Sequence, residues 1–149
     1  MNSCSSKQGT SWPVVRFRDV LREPLRNGIY KPKEFHGRGQ KVINMGELFG
    51  YDFISGQEMK RVELNNREKF TSLVEDGDLL FARRSLVLEG SGKCSIVVNP
   101  MEEITFESSI IRARLDADKA VPRFIYYFFG SPQGRGLMAS IATPLRFLA

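Results

Sequence analysis

Histidine and cysteine are almost missing from this chain: His36 stands alone, and Cys4 and Cys94 are the two cysteines among 149 residues. Four-ligand zinc patterns need N and S donors at short spacings, so that scarcity excludes them. A single histidine excludes an HNH nuclease centre with paired histidines. It also leaves any Ser/His/Asp triad dependent on His36, which lies in a Gly-flanked basic segment. No run of 18 or more apolar residues occurs, and the N-terminus lacks the apolar stretch of a signal peptide. The expectation is a soluble, cytoplasmic protein without membrane association.

What is present suits one compact domain. Hydrophobic residues make up 42% and charged residues 26% of the chain. A chain of this length buries roughly 70% of its extended surface. The formal net charge is +5 and the pI about 9.4, a balance that favours a polyanionic partner. The charge is uneven: +6 over residues 1–46, −4 over 47–82 and +3 over 83–149. A basic face would therefore draw on the first segment and on the loop after Ala82.

Residues 1–11, MNSCSSKQGTS, are polar and small and read as a flexible leader, with the domain running over 12–149. Val15 and Phe17 alternate with Arg16 and Arg18 as a short strand, and Asn27-Gly28 marks a turn. The segment FHGRGQK, residues 35–41, reads as a basic glycine-rich loop entering Val42–Met45. Alternation over Met59–Leu64 predicts an edge strand, with a turn or helix start at Asn65-Asn66-Arg67. Leu79–Ala82 is an uninterrupted apolar run suited to a strand buried on both faces. In the strand from Ser109 to Leu115, Ile111, Ala113 and Leu115 share one face, and Arg112 and Arg114 form what reads as a solvent-facing stripe. Pro122 and Ser131-Pro132 open two C-terminal helices. The fold class is α+β: a single globular domain with a mixed, mostly antiparallel β-sheet and short helices.

Several motifs carry possible chemistry. Gly90-Ser91-Gly92-Lys93 is similar to the tail of a phosphate-binding P-loop, but Val87 holds the first glycine position and a strand follows instead of a helix. Asn99-Pro100-Met101-Glu102 lacks the second proline and the ring of the Asn-Pro-Pro-aromatic motif of amino-methyltransferases. Glu58-Met59-Lys60 with Asp52 fits half of a nuclease metal site, which would make the chain a small metal-dependent nuclease. Arg83 and Arg84 leave the core at the end of a rigid strand, where a guanidinium suits guanine or phosphate. The alternative for them is a solvated loop end pairing with Glu75 or Asp78. The run Tyr126-Tyr127-Phe128-Phe129 reads as mostly core, with Tyr126 or Tyr127 turned outward.

The order of these segments resembles a target recognition domain of the specificity subunit of type I restriction-modification systems. The resemblance rests on Trp12-Pro13, Asn27-Gly28-Ile29-Tyr30, VINMGELF at 42–49 and LVEDGDLLFARRS at 73–85. SSIIRARLD at 108–116 and PRFIYYFFGSPQGRGLMASIA at 122–142 complete it. It implies a DNA-reading module that does no chemistry itself. Modification (methyltransferase) subunits would use S-adenosylmethionine, and a restriction subunit ATP and Mg, with no cofactor in this chain. The chain is expected to be one half of a full specificity subunit without its spacer helix, working with a second recognition domain or a second copy of itself. It would read half of a bipartite target in double-stranded DNA. Lys31, Lys33, Arg38 and Lys41 are the expected phosphate contacts. Gln40, Asn44, Arg83, Arg84 and Lys93 are the expected base-reading residues. Two other classes of function are left open: a non-enzymatic basic module that docks an acidic protein, and a small metal-dependent nuclease using Asp52 and Glu58.

Overall fold

The computed structural model describes residues 13–83 and 92–141. The expected leader, Trp12 and Arg84 lie outside the described residues.

Among the described residues eight strands, in chain order β1 (Arg26–Asn27), β2 (His36–Ile43), β3 (Phe53–Ile54), β4 (Arg61–Val62), β5 (Leu79–Ala82), β6 (Cys94–Val97), β7 (Ile104–Phe106) and β8 (Ile110–Ala113), divide between two sheets. One has the order β1-β8-β5-β6-β3, the other β4-β2-β7. The sheets are mixed and mostly antiparallel: β3–β6 and β2–β7 are the parallel pairs, the other pairings antiparallel. The α+β class holds, with two sheets where the sequence suggested one.

Alternation along the strands builds a core on each face of the larger sheet, and Val42, Val62 and Leu64 form a further cluster. Leu80, Ala82, Val97, Ile54 and Ile110 of the larger sheet meet Ile43, Ile104 and Phe106 of the smaller one. Leu79, Phe81, Cys94, Ile96 and Ala113 point the other way, beneath Ile125, Phe129 and Met138 of helices α3 (Pro122–Gly130) and α4 (Pro132–Ile141). The Leu79–Ala82 run is therefore buried on both faces, as its unbroken apolarity implies. Two shorter helices, α1 (Met45–Gly50) and α2 (Asn66–Ser72), link strands. In α2, Asn65 accepts from the Glu68 amide at 2.9 Å and Glu68 accepts from the Asn65 amide at 2.9 Å, a reciprocal cap that starts the helix where the asparagines predict. Buried Ser95 ties α1 down with its one hydroxyl proton shared between the Leu48 and Tyr51 carbonyls, at 2.9 and 2.8 Å.

Three local expectations are corrected. The Val15–Phe17 alternation is not a strand: Phe17–Val20 form a 3-10 turn that packs the Phe17 ring edge-on against Phe81 and Phe129. The glycine-rich segment at 35–41 is mostly strand β2 and not a loop. Its pairing with β4 shifts between His36 and Gln40, and Gly37 and Gly39 take φ of 93° and 88°, a conformation that glycine adopts freely. The expected solvent stripe of Arg112 and Arg114 is buried, at 2% and 9% exposure. β8 is an inner strand, and its arginine face is covered. Arg112 donates to the Leu73 carbonyl at 2.7 Å and to Glu23 at 2.6 Å; Arg114 holds Asp78 through two bonds, at 2.8 and 2.7 Å.

Candidate nucleic-acid interface

One end of the molecule gathers the exits of several strands. The β7–β8 turn, residues 107–109, is its centre. The Glu107 amide donates to the Ile43 carbonyl at 3.0 Å, and the Arg83 amide donates to the Ser109 carbonyl at 2.8 Å. On the other side the Ile29 amide donates to the Phe106 carbonyl at 2.9 Å, and Ile29 bridges Glu107. Gly28 permits this approach, because a Cβ there would lie 2.1 Å from the Glu107 carbonyl oxygen. Glu107 also accepts from the Met45 amide at 2.8 Å, fixing the start of α1 to the same turn. Arg83 and Lys93 flank the base of the β5–β6 connection, where the Ala82 amide donates to the Lys93 carbonyl at 3.1 Å.

The expected DNA contacts divide between this end and the far part of β2. Asn44, Arg83 and Lys93 belong to the first. Gln40 and Arg38 lie back along β2, Gln40 roughly 13 Å from Asn44 at an extended strand's rise. Gln40 is engaged there: it donates to Glu103 at 2.9 Å and accepts from the Leu64 amide at 3.2 Å. Arg38 pairs with Glu63 and donates to the Glu34 carbonyl at 3.2 Å.

The lysines differ in what they have left to offer. Lys41 is 4% exposed, and its ammonium meets the Gly56 and Gln57 carbonyls at 3.1 and 2.8 Å and Glu102 at 2.9 Å. An ammonium has three donors, and all are used, so Lys41 holds the fold and has none for a phosphate. Lys31 meets both Glu68 oxygens, at 3.0 and 2.9 Å, and lies 4.2 Å from the Phe35 ring centroid. That hydrogen bond, ahead of the smaller contributions, lowers the Glu68 carboxyl below its ordinary value. Lys33 is exposed, with no side-chain partner among the described residues.

Lys93 is held by Asp52 at 2.9 Å and also reaches the Cys94 carbonyl at 3.3 Å. Its hydrogen bond and charge pull the Asp52 carboxyl down, and burial followed by the Asp52 charge pushes Tyr126 up to about 12. Asp52, expected as one ligand of a nuclease metal site, is thus committed to a lysine. Among the described residues, no three His, Cys, Asp or Glu side chains are grouped to hold a metal ion. His36 donates from Nε2 to the Lys31 carbonyl at 2.9 Å. The anchor sets its ring in the fold.

Arg83 is the outlier. Its side chain is exposed and has no partner among the described residues. The acids offered as its partners are engaged elsewhere: Glu75 with Arg22 at 2.8 Å and Arg114 at 3.1 Å, and Asp78 with Arg114. Asn44 spends its amide on the Val42 carbonyl at 3.3 Å.

Sequence reasoning missed the neighbours of Arg83 on this rim. Tyr30 is 82% exposed, and with Ser108 it lines a cleft of about 160 Å³. Ser108 and Ser109 engage no partner through their hydroxyls among the described residues. Tyr30 belongs to the Asn27–Tyr30 motif and Ser108-Ser109 to the 108–116 motif that the sequence singles out, but neither motif marks these side chains as readers. What reveals them is the hydrogen bonding of the turn.

No family model matches the chain. The EcoKI type I restriction enzyme specificity subunit of Escherichia coli K12 is 30% identical over 132 residues, which is 88% of this chain and 28% of that protein. The chain is similar to one stretch of a type I restriction specificity subunit. Two solved structures share its fold. The HsdS subunit from Thermoanaerobacter tengcongensis superposes with a TM-score of 0.60 at 14% identity, over 92% of this chain and 32% of that one. A chain from a structure of type I R-M system assembly and conformational transition gives 0.57 at 15% identity, over 85% and 30%. The chain is thus similar to a specificity subunit in sequence and to the HsdS subunit in fold. The chain spans less than a third of the length of each of these proteins.

Proposed function

We propose that this chain is a target recognition domain that reads part of a DNA sequence for a type I restriction-modification assembly. The observation that carries the reading is the similarity to a specificity subunit over 88% of the chain. The rim around the β7–β8 turn supports it with chemistry. Arg83 presents, at the end of a rigid strand, a guanidinium with no partner among the described residues, suited to bidentate pairing with guanine O6 and N7. Lys33, likewise without a partner among the described residues, adds an ammonium on a different segment, suited to phosphate. Lys93, once drawn off Asp52 by a stronger anion, is a second cation at the base of the same connection.

In this reading the domain covers about one turn of duplex, from a radius of gyration of roughly 15 Å, and recognises a half-site of a few base pairs. Methyl transfer and cleavage belong to separate modification and restriction subunits. A second recognition domain, on another chain or a second copy of this one, reads the other half.

The test is selection from randomised duplex DNA at moderate salt, with and without a type I modification subunit, followed by sequencing of the retained molecules. An enriched short motif is the expected result. The affinity for that motif should fall with salt at a log–log slope of roughly −2 to −4, as for two to four neutralised phosphates. Retention without a motif, together with tight binding to an acidic protein, would replace this reading by a basic docking module.

A further inference from the structure

The β7–β8 turn sets four residues in one row along the paired backbones, each with side-chain hydrogen-bonding groups unspent among the described residues. Ile29 bridges Glu107, which sets Tyr30 beside Ser108; the Arg83 amide donates to the Ser109 carbonyl at 2.8 Å, which sets Arg83 beside Ser109. Among the described residues, none of Tyr30, Ser108, Ser109 and Arg83 spends its side chain on another protein group. Elsewhere several of the polar groups first expected to contact DNA are consumed: Gln40 by Glu103, Lys41 by Glu102 and two carbonyls, Lys93 by Asp52.

We infer that Tyr30, Ser108 and Ser109 form with Arg83 a single base-reading edge, in which Tyr30 is a specificity-determining residue. The inference rests on the DNA-reading proposal and locates it. The row crosses the turn and a neighbouring strand on each side, about 10–15 Å, close to three or four base-pair steps at about 3.4 Å each. Its backbone is rigid, since Gly28, Ile29, Glu107 and Arg83 are all tied to it by main-chain bonds. The groups along it are chemically distinct. Arg83 offers a forked donor matched to guanine. The serine hydroxyls donate or accept and suit several bases. Tyr30 offers an apolar ring for a thymine methyl group and a hydroxyl that serves as donor or acceptor. A tyrosine 82% exposed contributes little to the core, so its ring is free to be buried against a partner.

The experiment is the same selection from randomised duplex, run in parallel on wild type, Tyr30→Ala, Tyr30→Phe and Arg83→Ala. A thermal melt of each variant checks folding, and the exposure of Tyr30 predicts an unchanged midpoint. The expected result is that Tyr30→Ala relaxes base preference at one or two motif positions that Arg83→Ala leaves intact. Its preference for the wild-type motif over random duplex should fall by about fivefold or more. Tyr30→Phe separates ring from hydroxyl, and either pattern of relaxation places a base at Tyr30. If the wild-type motif is enriched and Tyr30→Ala retains it unchanged, Tyr30 is no reader and the inference falls while the DNA-reading proposal stands. Equal loss of affinity for all duplexes likewise overturns base reading by Tyr30. If wild type enriches no motif even with the modification subunit, the proposal underneath fails and the inference with it.

Discussion

Replacing Asp78 by Ala removes the acid at the centre of the buried ionic cluster on β8. Asp78 is 1% exposed and accepts three bonds: from Arg114 Nε and Nη2 at 2.8 and 2.7 Å, and from the Glu75 amide at 2.7 Å. Burial works against the Arg114 charge. The hydrogen bonds and charge of Asp78, with Glu75 and Glu23 behind them, outweigh it and raise the guanidinium above its ordinary value. Breaking one side of a buried pair typically costs 3–5 kcal/mol, because the other charge is left without its partner. Arg114 keeps Glu75 at 3.1 Å and the Leu73 carbonyl at 3.1 Å, so the loss belongs at the lower end. About 3 kcal/mol corresponds to roughly 6–12 °C in the melting midpoint of a domain this size. A thermal melt and urea unfolding, both followed by circular dichroism, measure it, with an unchanged urea m-value showing that stability alone has moved. The double variant Asp78→Leu with Arg114→Met replaces both charges by apolar side chains and should recover most of the loss. A midpoint within 1 °C of wild type for Asp78→Ala, or a double variant as unstable as the single, would refute this account. Asp78 lies about 16 Å from Arg83 along β5. DNA retention below the new midpoint should therefore match wild type.

Other outcomes follow from the same geometry. Leu80→Ala empties a fully buried position between the sheets and should cost about 2–5 kcal/mol in urea unfolding, while an unchanged midpoint would contradict the two-sided burial of β5. Arg83→Ala should lose roughly 1–3 kcal/mol of binding to the selected motif and much less to random duplex. Equal losses in a filter or fluorescence titration would assign Arg83 to phosphate. Burial pushes the Cys94 thiol from 9.0 up to about 12, so it stays protonated in the folded protein while the unfolded chain ionises above pH 9. Stability from Cys94 is therefore complete below pH 9 and declines as pH rises toward 12, by at most about 1.4 kcal/mol per unit. Cys94→Ala should flatten that decline, and the native thiol should resist iodoacetamide at pH 8 by peptide mass mapping.

Periodicity reported what each strand does to its own side chains, and failed where a second element decided the outcome. Leu79–Ala82 was legible because four apolar residues in succession leave no polar face. Arg112 and Arg114 show the limit. Their alternation with Ile111, Ala113 and Leu115 assigns them correctly to the opposite face of β8, but sequence periodicity does not say what lies over that face. The covering groups, Glu23, Asp78 and the Leu73 carbonyl, come from distant segments. The glycines of β2 misled for a related reason. Gly37 and Gly39 read as loop punctuation, yet they serve a strand with an irregular register.

The candidate site was legible in the same partial way. A basic residue in a sequence is a cation, and a cation becomes a nucleic-acid contact only if folding leaves it unpaired at a surface. Lys31, Arg38, Lys41 and Lys93 each meet an acid that lies 15 or more residues away in the chain: Glu68, Glu63, Glu102 and Asp52. Counting charge gives these four the same weight as Arg83 and Lys33, which meet none among the described residues. The net charge of +5 thus says little about where DNA would dock. Engagement sorts the cations better than number does. The rim around the β7–β8 turn stands out because a rigid backbone there carries a guanidinium, a phenol and two hydroxyls without partners among the described residues, groups able to tell one base edge from another.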